Sequence, residues 1–313
     1  MVRAYACPAR FTALDAPARI AAGSGRPVVT GASAPERQWH AELHLRFARR
    51  DDRTCLASRR HVGPLLVQRP FHPEGDVCHV YLIHPPGGIA GGDHLRVNVL
   101  AEPGAHVVLT TPAATKFYRS GERVARQEQD LTLNNAIVEW LPQESIFYRG
   151  ANARAATRIR VEGNSKLIAW EVACLGLPAR QETFDTGLLH LDMELWKGGC
   201  PLLVDRSRLS GEGAARTARW GLAGYEAVGI LLAYPADRHL LEVVRSVIEP
   251  ADAGNVSTAN TAVTSATLVD SVLVCRCLAA QAEPVREIFV RAWRAMRPEM
   301  LGRPAVPPRI WAT

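Results

Sequence analysis

The residues with the clearest chemical potential in this chain are ten histidines, seven cysteines and one stretch crowded with glycine and proline. Imidazoles and thiolates hold a transition metal only where several converge. No HExxH and no CxxC pair occurs, which argues against a structural zinc site. His40 and His44 lie in an alternating segment, so as strand residues they share one side, some way apart. Two lone imidazoles on a solvated face are preferred there over a two-histidine site. Cys275 and Cys277 flank Arg276 and would share a strand face, where they could offer two soft ligands. The surrounding Val272, Leu273, Val274 and Leu278 favour a buried core pair instead.

The segment from His84 to Asp93, HPPGGIAGGD, specifies unusual backbone dihedrals, and a run of exposed amides could cradle an anion. A phosphate loop, however, should open a helix and carry Lys-Ser/Thr after its glycines. Here Asp93 follows, and Leu95 to Val99 alternates like a strand. A tight crossing between strands is preferred, with nucleotide binding as the alternative. There is no GxSxG elbow and no context that sets a base beside a nucleophile, so a hydrolase is not supported.

The elements that must position these residues read mainly as strands. Leu43, Leu45 and Phe47 alternate with Glu42, His44 and Arg46, and the same period of two recurs at Leu95, Val97 and Val99, at Leu131 and Leu133, and from Leu189 to Leu195. Val77 to Ile83, Leu167 to Val172 and Val272 to Cys275 are apolar on both faces and read as central strands. Turn residues at Pro103-Gly104, Asn134-Asn135, Gly163-Asn164 and Gly198-Gly199 separate the runs. The expectation is a mainly β protein, a large multi-stranded and mostly antiparallel structure with two C-terminal α-helices. The first helix runs from an Asp237 cap to Pro250; the second opens at Pro284, buries Val285, Ile288, Phe289, Ala292, Trp293 and Met296, and is closed by Pro298. No internal repeat is visible. Residues 1–38 read as a flexible extension, and 39–313 as one β-rich domain ending in helices and an extended tail.

Composition narrows the function classes. A 313-residue chain that is 47% hydrophobic can bury a large core. No apolar run approaches the ~20 residues of a spanning helix, and the first residues lack the apolar core of a secretory signal. The odd, scattered cysteines suit reduced thiols, so a cytoplasmic location is expected, without membrane attachment. The net charge of +6 and pI near 9.1 favour anionic partners. The arginines are dispersed and aromatics are few, which disfavours nucleic acid; an acidic protein surface meets the same charge.

The stretch CHVYLIHPPGGIAGGD, Cys78 to Asp93, strongly resembles the hallmark segment of the urease accessory protein family UreD, also called UreH. Within it fall His84, Pro85, Pro86, Gly87, Gly88, Gly91, Gly92 and Asp93. The resemblance continues through Leu109 to Lys116, with Thr110, Thr111, Pro112 and Lys116, then Tyr118-Arg119-Ser120, Glu139-Trp140-Leu141-Pro142-Gln143-Glu144, Trp170-Glu171 and the terminal Pro308-Arg309-Ile310-Trp311. Gly63-Pro64-Leu65 and Gln68 to Phe71 are similar too. Two features depart from the family pattern: residues 1–38 have no counterpart, and Leu177 stands where the family usually has arginine.

The resemblance implies a scaffold rather than an enzyme, one that contacts apo-urease and recruits UreF, through which the GTPase UreG joins. No cofactor is expected to be tightly bound; Ni²⁺ would be cargo, in transit through a passage toward urease. Passage sites must attract the ion yet release it, so scattered carboxylates and single imidazoles suit it better than a tight cage. Glu171, Asp93, Glu139, Glu144 and His84 are the expected lining, being polar residues within apolar or Gly/Pro-rich motif segments. Each has a competing assignment as a buried group bonded to nearby backbone. Glu171 comes first, because it interrupts an apolar strand at a cost unless it is paired or wet. Partner docking is expected on Glu283 to Thr313, with Trp293, Arg309 and Trp311 as contacts, although Trp311 could equally tuck back onto its own domain. Two other classes stay open: a metallochaperone with its own high-affinity nickel site, and an enzyme acting through the Gly/Pro-rich loop.

Overall fold

The computed structural model describes residues 39–248 and 262–312; the expected extension at 1–38 lies outside the described residues. The chain opens with a hairpin, β1 (His40–Arg50) and β2 (Arg53–Val62), followed by β3 (Leu66–Val67). It then winds through four similar turns of three strands each. They are β4 (Cys78–Ile83), β5 (Gly88–Ile89) and β6 (His94–Ala101); β7 (His106–Thr110), β8 (Thr115–Phe117) and β9 (Ala125–Asn134); β10 (Ile137–Trp140), β11 (Ser145–Phe147) and β12 (Asn152–Glu162); and β13 (Lys166–Leu177), β14 (Glu182–Thr183) and β15 (Leu188–Lys197). The described remainder is β16 (Cys200–Ser210), β17 (Ala227–Tyr234), α1 (Arg238–Ile248), β18 (Val263–Val269), β19 (Val272–Ala279) and α2 (Ala282–Leu301).

The first strands of successive turns pair in parallel, β4-β7-β10-β13, and so do the third strands, β6-β9-β12-β15. Short β5, β8 and β11 pair in parallel at the corner. Antiparallel strands extend the two sheets at their edges: β17, β19 and β18 beyond β13, β3 beside β4, β16 beside β15, and β2 beside β1. The mainly β expectation holds and the mostly antiparallel one does not. A period of two assigns each side chain to a face and is silent about the direction of the neighbouring strand. Three of the four expected turns, at Pro103-Gly104, Asn134-Asn135 and Gly163-Asn164, hand the chain to the facing sheet; only Gly198-Gly199 closes a hairpin.

The turns do repeat, with first strands starting roughly 30 residues apart. Sequence similarity is absent because each turn needs only inward apolar positions, which different residues fill. Cys78, Val107, Val138 and Leu167 occupy one such row, in register, inside the core between the sheets. The next residues along, His79, Val108, Glu139 and Ile168, form the opposite face.

That opposite face carries the helices. Asp237 caps α1 as expected, its Oδ1 accepting from the Leu240 amide at 2.9 Å. The whole expected stripe of α2 is buried, and α2 packs on β13, β17 and β19. Full burial of each large apolar side chain there contributes about 1.5–3 kcal/mol. Gly229 of β17 admits the helix: a Cβ at that position would lie 2.4 Å from Val285 Cγ1 and 2.7 Å from Phe289 Cε2. Pro298 does not close α2, which runs on to Leu301 before Gly302 ends it in a left-handed conformation with φ +67°. No described helix is long and apolar enough to cross a membrane.

Candidate functional site

On the inward face of β13, Glu171 is the polar exception. It alternates with Leu167, Ala169, Ala173 and Leu175, which belong to the core between the sheets, whereas Trp170 and Val172 face the helices. Thr157 of β12 donates its hydroxyl to Glu171 Oε1, and the Trp140 indole N–H reaches the same oxygen at 3.4 Å. Thr157 also lies 3.1 Å from Gln129 Oε1 on β9. Burial pushes the Glu171 carboxyl up from its ordinary pKa, and the Thr157 and Trp140 donors offset only part of that.

Two cavities meet at this carboxyl. One of about 120 Å³ is lined by His84, Thr111, Pro112, Trp140 and Pro142. A second, of about 110 Å³, is lined by Met193, Asp192, Asp205 and Arg276. Ser145, Glu171 and Val172 belong to both walls. Either space has room for several waters, since one needs ~10–15 Å³ of such volume. In the first cavity His84 has a buried Nε2 without a partner among the described residues, and burial lowers its imidazole pKa, favouring the neutral, ligating form.

The segments that resemble the accessory family build the walls of the first cavity. Thr110 Oγ1 donates to the Leu141 carbonyl at 2.6 Å, Thr111 Oγ1 accepts from the Gln143 amide at 3.0 Å, and Trp170 Nε1 donates to the Pro142 carbonyl at 2.8 Å. Three motif side chains thus pin Leu141 to Gln143. The Gly/Pro-rich segment is the tight crossing expected: Gly87 closes a turn on the His84 carbonyl at 2.8 Å, and Pro85 and Pro86 are exposed. A Cβ on Gly88 would sit 2.2 Å from the Tyr118 ring, which lies over the bare backbone. Gly91 and Gly92 lead into Asp93, and Lys116 lies on β8 beside Gly88.

Of the expected passage residues, the structure brings only Glu171 and His84 to this space. Asp93 caps its own turn, its carboxylate accepting from the Ala90 amide at 2.8 Å and the Trp39 amide at 3.1 Å. Glu144 is half-buried off the cavity, its carbonyl accepting from the Thr115 amide at 3.0 Å. Glu139 lies on the far face of the sheet, fully buried. There it accepts from Trp293 Nε1 at 2.6 Å and Arg297 Nε at 3.0 Å, and meets His106 Nε2 at 2.7 Å. Arg297 continues to Glu74, 2.7 Å away, and Glu74 to His79 at 2.8 Å. Gln127 and Gln129, which line the first cavity, were missed. Their parity with Leu131 and Leu133 marks them as inward-facing and could have found them.

The docking residues part company. Trp293 is wholly buried, Arg309 is exposed, and Trp311 is half-buried against Trp170 and Trp293, with ring centroids 5.7 and 5.6 Å apart. Cys275 and Cys277 are core residues, and burial pushes the Cys275 thiol up to about 12. His40 and His44 sit on the outer face of β1, both bonded to Glu42 at 2.9 and 3.2 Å.

A family model described as UreD urease accessory protein matches residues 40–312. The chain belongs to the UreD family. It is similar to the urease accessory protein UreD of Klebsiella aerogenes, with 43% identity over 276 residues that cover 88% of this chain and 97% of that one. UreD of Pseudomonas putida (strain GB-1) is 44% identical over 280 residues, 88% of this chain and 95% of that one. UreD of Citrobacter koseri is 42% identical over 280 residues, 88% and 93%. The UreD match starts at β1, so residues 1–38 fall outside it. Leu177, where UreD sequences were expected to carry arginine, ends β13 opposite Glu182.

Proposed function

We propose that this chain is a urease maturation factor that acts as a scaffold and not as a catalyst. It binds apo-urease and recruits UreF, and through it the GTPase UreG, for GTP-dependent insertion of nickel. The inside of its coil forms part of the passage the ion takes. The observation that carries this is the meeting of two cavities at Glu171, the first of them walled by the motif segments of the UreD family.

Glu171 and His84 offer one carboxyl and one imidazole on the same wall, a set that attracts a hydrated divalent cation without stripping it of water. Gln129, Thr157 and Ser145 supply neutral oxygens around them. Weak, separated ligands of this kind let an ion enter and leave. A metallochaperone with a high-affinity site of its own needs at least three convergent ligands; among the described residues no such group of His, Cys, Asp and Glu is found. Reduced thiols at Cys55, Cys78 and Cys174 accord with a cytoplasmic setting. The partners are proteins, not nucleic acid or membrane.

The test is co-expression of the urease genes with and without this chain, followed by nickel content, activity and co-purification of the urease. Urease that acquires its full nickel without the chain refutes the proposal.

A further inference from the structure

On the outward side of α2 the helix and the C-terminal tail enclose an open groove of about 550 Å³. Val290, Pro308 and Trp311 line it, and Arg291, Arg294 and Arg309 stand exposed around them. On the outer face of the sheet that holds β6, β12 and β16, by contrast, several arginines are paired: Arg96 with Glu128, Arg154 with Asp192, and Arg158 and Arg206 with Glu194. Arg291, Arg294 and Arg309 have no ion pair among the described residues. Glu287 is the one acidic residue on the groove wall.

We propose that this groove receives an acidic segment of a partner protein, in which carboxylates flank an apolar side chain. Guanidinium forks bind carboxylates in bidentate fashion, and several exposed ones around an apolar floor select for acid on both sides of a hydrophobic anchor. Arginine and tryptophan are the residue types that most often dominate interface energy. The overall charge of +6 steers an acidic partner toward the molecule in the first place. The inference rests on the scaffold function proposed above and gives one of its docking contacts a chemistry.

The groove is also joined to the first cavity. Arg286, on the groove wall, donates from Nη1 to Gln143 Oε1 at 2.8 Å, and Gln143 lines the cavity. Trp311 donates from Nε1 to Thr110 Oγ1 at 3.0 Å, beside Thr111 on that cavity wall. An occupant whose carboxylate engages Arg286 competes with Gln143, so docking and the cavity mouth share one side chain.

The experiment is fluorescence anisotropy with the purified full chain and a fluorescein-labelled peptide in which glutamates flank a central Leu-Phe pair. Saturable binding that weakens with salt is expected, about tenfold or more weaker in the triple variant Arg291→Glu, Arg294→Glu, Arg309→Glu and unchanged in Arg154→Gln on the paired sheet face. Circular dichroism establishes that the triple variant is folded. No binding, equal binding of a lysine version of the peptide, or undiminished binding by the folded triple variant overturns the inference. Tighter binding of a single-stranded oligonucleotide also overturns it. Failure here, with urease maturation still dependent on the chain, removes the groove and leaves the scaffold function standing.

Discussion

Arg297, near the end of α2, lays its guanidinium along the carboxylate of Glu139 on β10, with Nε 3.0 Å from Oε2 and Nη2 3.0 Å from Oε1. Both side chains are fully buried. The pair, with Glu74 beyond it, ties the C-terminal helix to β10 and to the turn that precedes β4. Replacing Arg297 with methionine leaves two carboxylates buried without their cation, and the loss is expected to be about 3–5 kcal/mol in urea denaturation. Glu139→Gln, which keeps an acceptor for the Trp293 indole, is expected to cost less. Equal stability of Arg297→Met and the wild type would show that the network contributes nothing.

Acid should weaken the same region. Burial pushes the Glu74 carboxyl up, but the His79 hydrogen bond and the Arg297 guanidinium outweigh it and hold the pKa at about 2. A folded pKa below the unfolded value near 4.5 means that the unfolded chain binds the proton first. Stability from this group is therefore complete above about pH 4.5 and is lost as pH falls toward 2, roughly 3 kcal/mol in total. Glu194, also at about 2 under Arg206 and Arg158 despite its own burial, adds in the same direction. The check is thermal melting across that acid range, with the slope reduced in Glu74→Gln.

Glu171 should behave in the opposite way. Its folded pKa is raised by burial, so the native state binds the proton more readily and stability declines as pH rises from the unfolded value through the folded one. Glu171→Gln removes that penalty and is expected to be at least as stable as the wild type at neutral pH. Urease matured with the variant is nevertheless expected to hold severalfold less nickel. A variant that is stable and fully competent in maturation would take Glu171 out of the passage.

The fit of α2 on β17 predicts the effect of one added methyl. Gly229→Ala puts a Cβ within 2.4 Å of Val285 Cγ1, and the helix must shift to admit it. A loss of about 1–3 kcal/mol is expected from such overpacking, read as a lower denaturation midpoint with an unchanged m-value. The contrasting Gly87→Ala has no atom within 4 Å of the added Cβ, and its cost is that of the left-handed backbone with φ +74° alone.

Much of the fold was legible residue by residue. The inward faces of β1, β6 and β9 and the buried stripe of α2 follow from periods of two and of 3.6, because burial of one face imposes that spacing on whatever residues are used. The Gly/Pro-rich segment was legible as a crossing because no helix or lysine follows it. The helix end at Pro298 was not, since proline forbids a hydrogen bond to the preceding turn but leaves its own carbonyl free to accept one from Gly302. The passage residues were harder still. Glu139, Glu144, Asp93 and Glu171 look alike in sequence as polar residues among apolar ones, and three of the four turned out to lie away from the cavities.

By itself, the order of amino acids determined which side chains are buried, where the helices lie and which family the chain belongs to. Only the tertiary structure decided that the strands coil in parallel and that Glu139 joins Arg297 while its neighbour Trp140 reaches Glu171. The reason is geometric: adjacent residues on a strand point to opposite faces, and what each face meets is brought there by segments far away in the chain. Alternation records the face; only the folded chain supplies the partner.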